Sequence, residues 1–293
     1  MPSSAVSGER DQDRLCEFVA RHARLFVLTG AGCSTESGIP DYRDADGGWK
    51  RAAPVMLQAF IGDAATRRRY WARSLVGWRR LCAARPNGAH HSLVALQRQR
   101  RIECLVTQNV DRLHQLAGSD DVIDLHGRID LVRCISCRVG LPRGELQAEL
   151  LRLNPGFAQL DALPAPDGDA DLEALDFSSF QVPPCTLCGG LLKPDVVFFG
   201  ESVPPHRVQA SMQHLMQSDA MLVLGSSLMV YSGYRFAQAA AASGKPIAAV
   251  NLGSTRADAL LQFKVVQRCS AALAFLLPPD RCAQPQPQPA VSG

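Results

Sequence analysis

Four apolar runs constrain this chain more than any other feature. Each is too short for a buried helix, and each gives out in polar residues. They are "RLFVLTG", "IECLVTQN", "DAMLVLGSS" and "PIAAVNLG". Between and around them lie stretches with helical spacing: "RLCEFVARHA", "SLVALQRQR", "VDRLHQLAG", "YRFAQAAAAS" and, near the end, "SAALAFLL". "VIDLHG" reads as a further strand. Short β-rich runs alternating with helical patterns predict an α/β fold, a Rossmann-like doubly wound parallel sheet with both faces covered. In an open sheet of that kind the carboxyl ends of the strands face the ligand crevice. Thr29-Gly30, Gln108-Asn109, Gly225-Ser226-Ser227 and Asn251 are therefore expected to converge on one rim.

Two stretches break the alternation, roughly 44–85 and 132–194. They are expected to form a smaller zinc-ribbon plus helical domain inserted into the sheet domain, which takes 1–43, 86–131 and 195–280. The proline-rich 281–293 cannot bury a face and is expected to be a disordered tail. At 293 residues, with 46% hydrophobic and 20% charged residues, the composition is that of a soluble globular enzyme. A net charge of +3 is too small to argue for nucleic acid, and the basic run "RRRYWARSLVGWRR" is only a local concentration. No apolar run reaches the roughly 18–20 residues of a membrane helix. The first residues lack the apolar core of a secretion signal, so the expected location is cytoplasmic.

The ten cysteines are unevenly spread. Cys134/Cys137 and Cys185/Cys188 form two C-x-x-C pairs, each able to sit on a tight turn and aim both sulfurs at one ion. Four thiolates close a tetrahedral site and leave no position for water, so the expected zinc is structural. The alternatives are four unrelated buried thiols or a redox pair, although neither C-x-x-C opens a helix after a strand. The acidic, turn-rich "LPAPDGDADLEALD" between the pairs reads as a loop extending from the ribbon.

"GAGCSTESGIPDYR" follows the first strand. Gly30 and Gly32 suit either a loop that brings backbone N–H groups to a phosphate or a tight strand-to-helix turn. Thr35 stands where a third glycine of the dinucleotide fingerprint belongs. The acid that a redox enzyme needs at the next strand end is replaced by the glycine-rich "DADGGWK", which speaks against hydride transfer. Gln108, Asn109 and Asp111 sit where a strand gives way to a helix, and His126 ends the next strand. An imidazole suits proton transfer near neutral pH, but a strand-end histidine is equally able to be structural. His114, His90 and His91 read as packing or capping residues.

Taken in order, "GAGCSTESGIPDYR", "PNGAHHSL", "TQNVDRLHQLAG", "DLHG", the two C-x-x-C pairs, "KPDVVFFGE", "GSSLMVYSG" and "NLG" resemble the sirtuins, the NAD-consuming protein deacylases. The resemblance runs from about Leu25 to Leu277. "RYWARSLVGW", "LQAELLRLNP", "FQVPPC" and "SGYRF" are similar to the class II branch, which includes the mitochondrial lipoamidase-type sirtuin; a bacterial source is expected. It implies that NAD is a co-substrate. Gly30, Ala31, Gly32 and Thr35 would bind its pyrophosphate and ribose. Asp41 would hold the nicotinamide amide, with Tyr42 and Arg43 closing over it. Gln108, Asn109 and Asp111 would position the nicotinamide ribose and carboxamide. Gly225, Ser226 and Ser227 would meet the adenosine side, with Asn251, Leu252, Gly253 and Cys269 around the adenine ribose and base. His126, with Asn109 and Asp111, forms the implied catalytic set. By the same resemblance the acyl oxygen would attack C1′ with nicotinamide leaving, and His126 would take a proton from a ribose hydroxyl that then attacks the alkylamidate. Val196, Val197, Phe198, Phe199, Gly200 and Glu201 would offer an edge to an acyl-lysine peptide or protein.

Tyr70 and Arg73 match the Tyr-x-x-Arg of sirtuins that remove acidic acyl groups, where an arginine grips a carboxylate bidentately. An equal alternative is one solvated face of an arginine-rich helix. Departures from the family pattern are mild: Cys33 for isoleucine or valine, Asp124 for glutamate, Ser226 for threonine. Two other functions compete with deacylation: mono-ADP-ribosylation of protein from the same site, and a zinc-ribbon interaction module. The sequence does not give the acyl chain, the targets or the oligomeric state.

Overall fold

The computed structural model describes residues 3–278 other than 45, 47, 51–53, 161, 163, 167–168, 171 and 173–174, with side chains from Arg10 onward. The expectation of a disordered 281–293 lies outside the described residues. The central sheet has six parallel strands: β1 (Leu25–Thr29), β2 (Ile102–Thr107), β3 (Val122–Asp124), β9 (Ala220–Leu224), β10 (Ile247–Val250) and β11 (Phe263–Val265), in the order β11-β10-β9-β1-β2-β3. This is the doubly wound Rossmann order, and it reverses between β1 and β9. Thr29 pairs with Thr107 and with Leu224, Thr107 with Asp124, and Leu224 with Val250. The polar residues that follow these strands therefore emerge on one rim.

Every residue of β1, β9 and β10 is buried, which is why those runs read as unbroken apolar stretches. Leu25 and Val27 face a core built with Leu15 and Phe18 of α1 (Ser3–Arg21) and Leu93 and Leu96 of α4 (Gly88–Arg98). Phe26 and Leu28 face the other layer, where α8 (Pro205–Gln217) brings Leu215 and α9 (Tyr231–Ala242) brings Phe236 and Ala240. A single-turn helix, α5 (Leu113–Ala117), leads from β2 toward β3.

The two excursions pack together on a core of their own. Trp71 and Leu75 of α3 (Ala64–Ala83), Phe60 of α2 (Leu57–Gly62) and Leu146 and Leu150 of α6 (Arg143–Leu153) surround Val132 and Phe198. An antiparallel ribbon, β4 (Gly127–Cys134) between β5 (Gly140–Pro142) and β8 (Leu192–Val196), carries the cysteine pairs. Arg143 is fully buried there, its guanidinium over Trp78 at 4.8 Å and Trp71 at 5.4 Å. Its Nη2 donates to Ser74, and burial lowers its pKa to about 10.

Four parts of the chain differ from the sequence reading. β11 is too short to show a period, and α8, which opens on Pro204-Pro205, has no counterpart among the expected helices. The last helix divides into α10 (Cys269–Ala272) and a 3₁₀ turn at Ala274–Leu276. The acidic insertion is not simply a loop reaching away from the ribbon. Its described part follows α7 (Pro155–Ala158) and makes a small hairpin, β6 (Pro164–Ala165) and β7 (Asp169–Ala170). Ala165 and Ala170 are buried, and β7 packs on α3. Among the described residues no helix is long and apolar enough to cross a membrane.

Candidate active site at the reversal of the sheet

A cleft of about 1210 Å³ opens where the strand order reverses. Its walls include every residue expected to touch NAD or peptide except Asp111, which lies behind Asn109. The two strand-end loops meet at van der Waals distance. A Cβ at Gly225, whose φ is +60°, would lie 2.3 Å from the Cys33 nitrogen, and one at Gly32 would lie 2.9 Å from the Gly225 Cα. The Gly32 N–H donates to the Gly225 carbonyl at 2.8 Å. Glycine is required here first by loop against loop, whatever phosphate the loop then receives.

Asn109 and Asp111 are fixed by one hydroxyl. The Asn109 Nδ2 donates to the Gly30 carbonyl and to Ser34 Oγ, both at 3.0 Å. Ser34 Oγ in turn donates to Asp111 Oδ2 at 2.7 Å, and the Leu113 N–H donates to Oδ1 at 2.9 Å. Burial raises the Asp111 pKa, with those two donors working against it. Because the Gly30 carbonyl can only accept, Nδ2 must face it, which fixes Oδ1 as the acceptor of that amide. Gln108 ties β2 to the opposite wall, donating to Ser226 Oγ at 2.6 Å.

His126 lies between β3 and β4, half-buried on the cleft wall. Its Nδ1 is 3.0 Å from the Gln108 carbonyl, which can only accept, so Nδ1 carries the proton. Nε2 is then a lone pair, and it meets Ser232 Oγ at 2.8 Å. Burial holds the imidazole below its ordinary 6.5, against the Gln108 bond and with help from the Arg207 charge. With its pKa lowered to about 4, the ring is a neutral base at pH 7.

On the outer wall Asp41 pairs with Lys50 at 2.5 Å, and Arg43 lies over Trp49 at 3.9 Å. Trp49 meets Tyr42 and Phe199 edge-on. Two backbone groups of the expected peptide edge are engaged within the chain: Val197 donates to the His126 carbonyl at 2.7 Å, and the Phe199 carbonyl accepts from Leu57 at 2.9 Å. Tyr70 and Arg73 are not among the residues lining the cleft. Tyr70 stacks behind Phe198 at 5.2 Å, and Arg73 grips Asp169 of β7 at 2.9 and 2.7 Å.

Among the described residues two side-chain groups could invite a metal. Cys134, Cys137, Cys185 and Cys188 converge, with sulfurs 3.5 Å (134 to 188) and 3.7 Å (137 to 185) apart. Those spacings match the edge of a tetrahedron with Zn–S bonds of about 2.3 Å, so the residues fit a closed zinc site. Cys33, His90 and His114 gather within 4.8 Å in the sheet core. There the tautomers disagree with a metal. His90 Nδ1 accepts from the Asn87 N–H, so its Nε2 carries the proton. His114 Nε2 meets Thr29 Oγ1, whose own proton goes to Thr107, so Nδ1 is the lone pair. One N–H and one lone pair lie in the same dry space, with rings 4.7 Å apart. Neither atom has a hydrogen-bond partner among the described residues, and an N–H offers no lone pair to an ion. His90 closes a capping box with Asn87, as its position at a helix start suggests.

Ser34, Lys50 and Ser232 are functional neighbours that sequence reasoning misses. Ser34 and Ser232 sit inside the quoted motifs, but nothing in one dimension links them to Asp111 or His126.

Residues 30–232 match the model of the Sir2 family. The chain is 64% identical over 267 residues to the "NAD-dependent protein deacetylase" of Xanthomonas campestris pv. campestris (strain 8004), covering 91% of each chain. It is 66% identical to "NAD-dependent protein deacetylase 2" of Bradyrhizobium diazoefficiens, over 90% of this chain and 96% of that one. A solved Sir2–p53 peptide–NAD+ complex superposes with a TM-score of 0.72 at 28% identity, over 90% of this chain and 95% of that one. A second Sir2 enzyme structure gives 0.73 at 28% identity, over 92% and 96%. With the family model matched over residues 30–232 and curated relatives more than 60% identical along nine-tenths of its length, the chain belongs to the Sir2 family.

Proposed function

We propose that this chain is an NAD-dependent protein-lysine deacylase that moves the acyl group from lysine to ADP-ribose, and that His126 is its base. The observation that carries the assignment of the base is the fixed tautomer of His126, with Nδ1–H on Gln108 and the Nε2 lone pair at the cleft wall. NAD, when bound, supplies an activated glycosidic carbon and nicotinamide as leaving group. Gly30 to Thr35 and Gly225 to Ser227 form the wall that receives its phosphates and adenosine side. Asn251, Leu252, Gly253 and Cys269 extend that wall toward the adenine end. Asn109 and Asp111, joined through Ser34, orient the nicotinamide ribose. Asp41 accepts the nicotinamide amide after exchanging its bond with Lys50. Tyr42, Trp49 and Phe199 screen the reacting carbon from water. The Nε2 of His126 takes a proton from a ribose hydroxyl, which turns that oxygen into a nucleophile toward the acyl carbon.

The small lobe, 44–85 with 132–194, is the substrate-side domain, and its zinc, held by Cys134, Cys137, Cys185 and Cys188, is structural. Peptide adds along Val196 to Glu201. The chain is of the class II, lipoamidase-like branch and works in the cytoplasm of a bacterium. Arg73, the candidate reader of an acidic acyl group, lies off the cleft wall and is held by Asp169. An acidic acyl group must compete with Asp169 for its guanidinium, so apolar or acetyl groups are the favoured substrates while that pair is intact. Transfer of ADP-ribose to a protein nucleophile is the second reading; the relatives' names favour deacylation.

One peptide carrying acetyl, succinyl, glutaryl, lipoyl or long-chain acyl lysine, incubated with NAD, tests this. Deacylated peptide, nicotinamide and O-acyl-ADP-ribose should form in equal amounts, with acetyl or apolar chains turned over faster than succinyl. ADP-ribosylated protein without deacylated peptide would reject the reading.

A further inference from the structure

An imidazole nitrogen has one lone pair, directed in the plane of its ring. On His126 that lone pair is already taken by the Ser232 hydroxyl at 2.8 Å, because Nδ1 is committed to the Gln108 carbonyl at 3.0 Å. A ribose hydroxyl cannot donate to Nε2 while Ser232 does. Either it displaces Ser232, or the proton travels through it.

The surroundings of Ser232 favour passage. Ser232 lies in the first turn of α9, is only 8% exposed, and still contributes to the cleft wall. Its neighbour Gly233 sits tight against Gln108, where an added Cβ would be 2.6 Å from Oε1. Gln108 is itself anchored across the cleft on Ser226. The serine, the histidine and the carbonyl that sets its tautomer thus form one connected group, with the Ser232 hydroxyl already on Nε2 and its side chain on the cleft wall. An oxygen that donates to Nε2 keeps lone pairs with which to accept from a ligand hydroxyl in the cleft.

We infer that Ser232 is a catalytic relay: the proton of the ribose hydroxyl passes to Ser232 Oγ as the Ser232 proton passes to His126 Nε2. One O–H bond breaks on the ribose and one re-forms on Ser232, one N–H forms on His126, and the serine ends unchanged. The sum is the proton transfer to His126 already assigned, so this step rests on the deacylase reading and specifies its route.

The test follows single turnovers with NAD and acetyl-lysine peptide, measuring nicotinamide release and O-acetyl-ADP-ribose separately in mixtures of H2O and D2O. A relay moves two protons together, so the rate of the acyl-transfer step should curve with deuterium fraction in the wild type. In Ser232→Ala it should fall tenfold to a hundredfold, less than the range of about 10²–10⁴ typical of a positioned base because water can enter the gap. Nicotinamide release should be unchanged, and Ser232→Thr should restore most of the loss. A linear dependence in the wild type, or a Ser232→Ala variant as fast as wild type or faster, overturns the relay. The second result is what a merely obstructing hydroxyl would give. Full activity in His126→Ala would overturn the base and the relay with it, whereas absence of deacylation in the wild type would instead strike the deacylase reading itself.

Discussion

The rim of the parallel sheet and the cysteine ribbon hold their functional atoms by different means. On the rim each polar side chain is fixed by groups from distant strands: Asn109 by the Gly30 carbonyl and Ser34, His126 by Gln108 and Ser232, Gln108 by Ser226. Glycines let the loops that carry those groups touch. The ribbon has three strands, one of them only three residues long, and its tip is secured by four sulfurs. The lobe behind it tolerates a buried arginine that rests on two indole rings. Precision on the rim comes from redundancy in a large core. Order at the ribbon tip comes from one cross-link, and a single lost ligand should undo it.

The largest effect is therefore expected at the ribbon. Structural zinc in small domains contributes apparent binding energies of roughly 10–16 kcal/mol, far beyond what a three-stranded ribbon can replace. Cys188→Ser should lose the zinc equivalent measured by elemental analysis and become open to protease within 132–194, while the sheet lobe stays protected. Uniform protease resistance without zinc would erase the contrast between the lobes. Next comes Gly225→Ala. A Cβ at φ +60°, 2.3 Å from the Cys33 nitrogen, forces the two loops apart. We expect a loss of about 3 kcal/mol or more by urea unfolding, from backbone strain and overpacking together.

Acid should erode the sheet lobe with a defined sign. Burial pushes His114 from 6.5 to about 4, so between those values the unfolded chain binds the extra proton. The stability contributed by the neutral ring is complete above pH 6.5 and is lost as pH falls toward 4. The whole effect amounts to about 3 kcal/mol, because each pH unit in that window is worth about 1.4 kcal/mol. His114→Gln should flatten the dependence of unfolding free energy on pH between those values. An unchanged slope would mean the buried ring is not the titrating group. The smallest effect is expected from Ser34→Ala, which leaves Asn109 and Asp111 in place but unlinked. A lost hydrogen bond to a charged group is worth about 1.5–3 kcal/mol of stability, so the melting temperature should fall by a few degrees, and kcat/KM should fall about tenfold or more at temperatures where the variant is still folded. A large change in melting temperature would make Ser34 structural.

The sheet was legible because buried parallel strands must be apolar throughout and must end where the backbone meets water or ligand. Those constraints are local, and they marked Gly30, Gln108, Gly225 and Asn251 without any structure. The metal site was legible for the same reason, since C-x-x-C states its own geometry. Partnerships across the sheet were not. Ser232 reaches His126 from a separate helix, and a serine has no spacing rule that announces such a meeting. In sequence the glycines suggest room for phosphate, whereas Gly32 and Gly225 first make room for each other. Tyr70 and Arg73 show the limit most clearly. Spacing put them on one face of α3 but gave no sign that Asp169, on a hairpin far along the chain, already occupies the guanidinium.

The assignment of the base turns on whether His126 acts after the glycosidic bond is broken. The decisive measurement compares exchange of labelled nicotinamide into NAD with formation of O-acetyl-ADP-ribose, in wild type and His126→Ala, with acetyl-lysine peptide present. If Nε2 only deprotonates the ribose, the variant should keep peptide-dependent exchange while product formation falls by about 10²–10⁴. Product formation at the wild-type rate in His126→Ala, or loss of exchange and product in equal measure, would contradict the assignment.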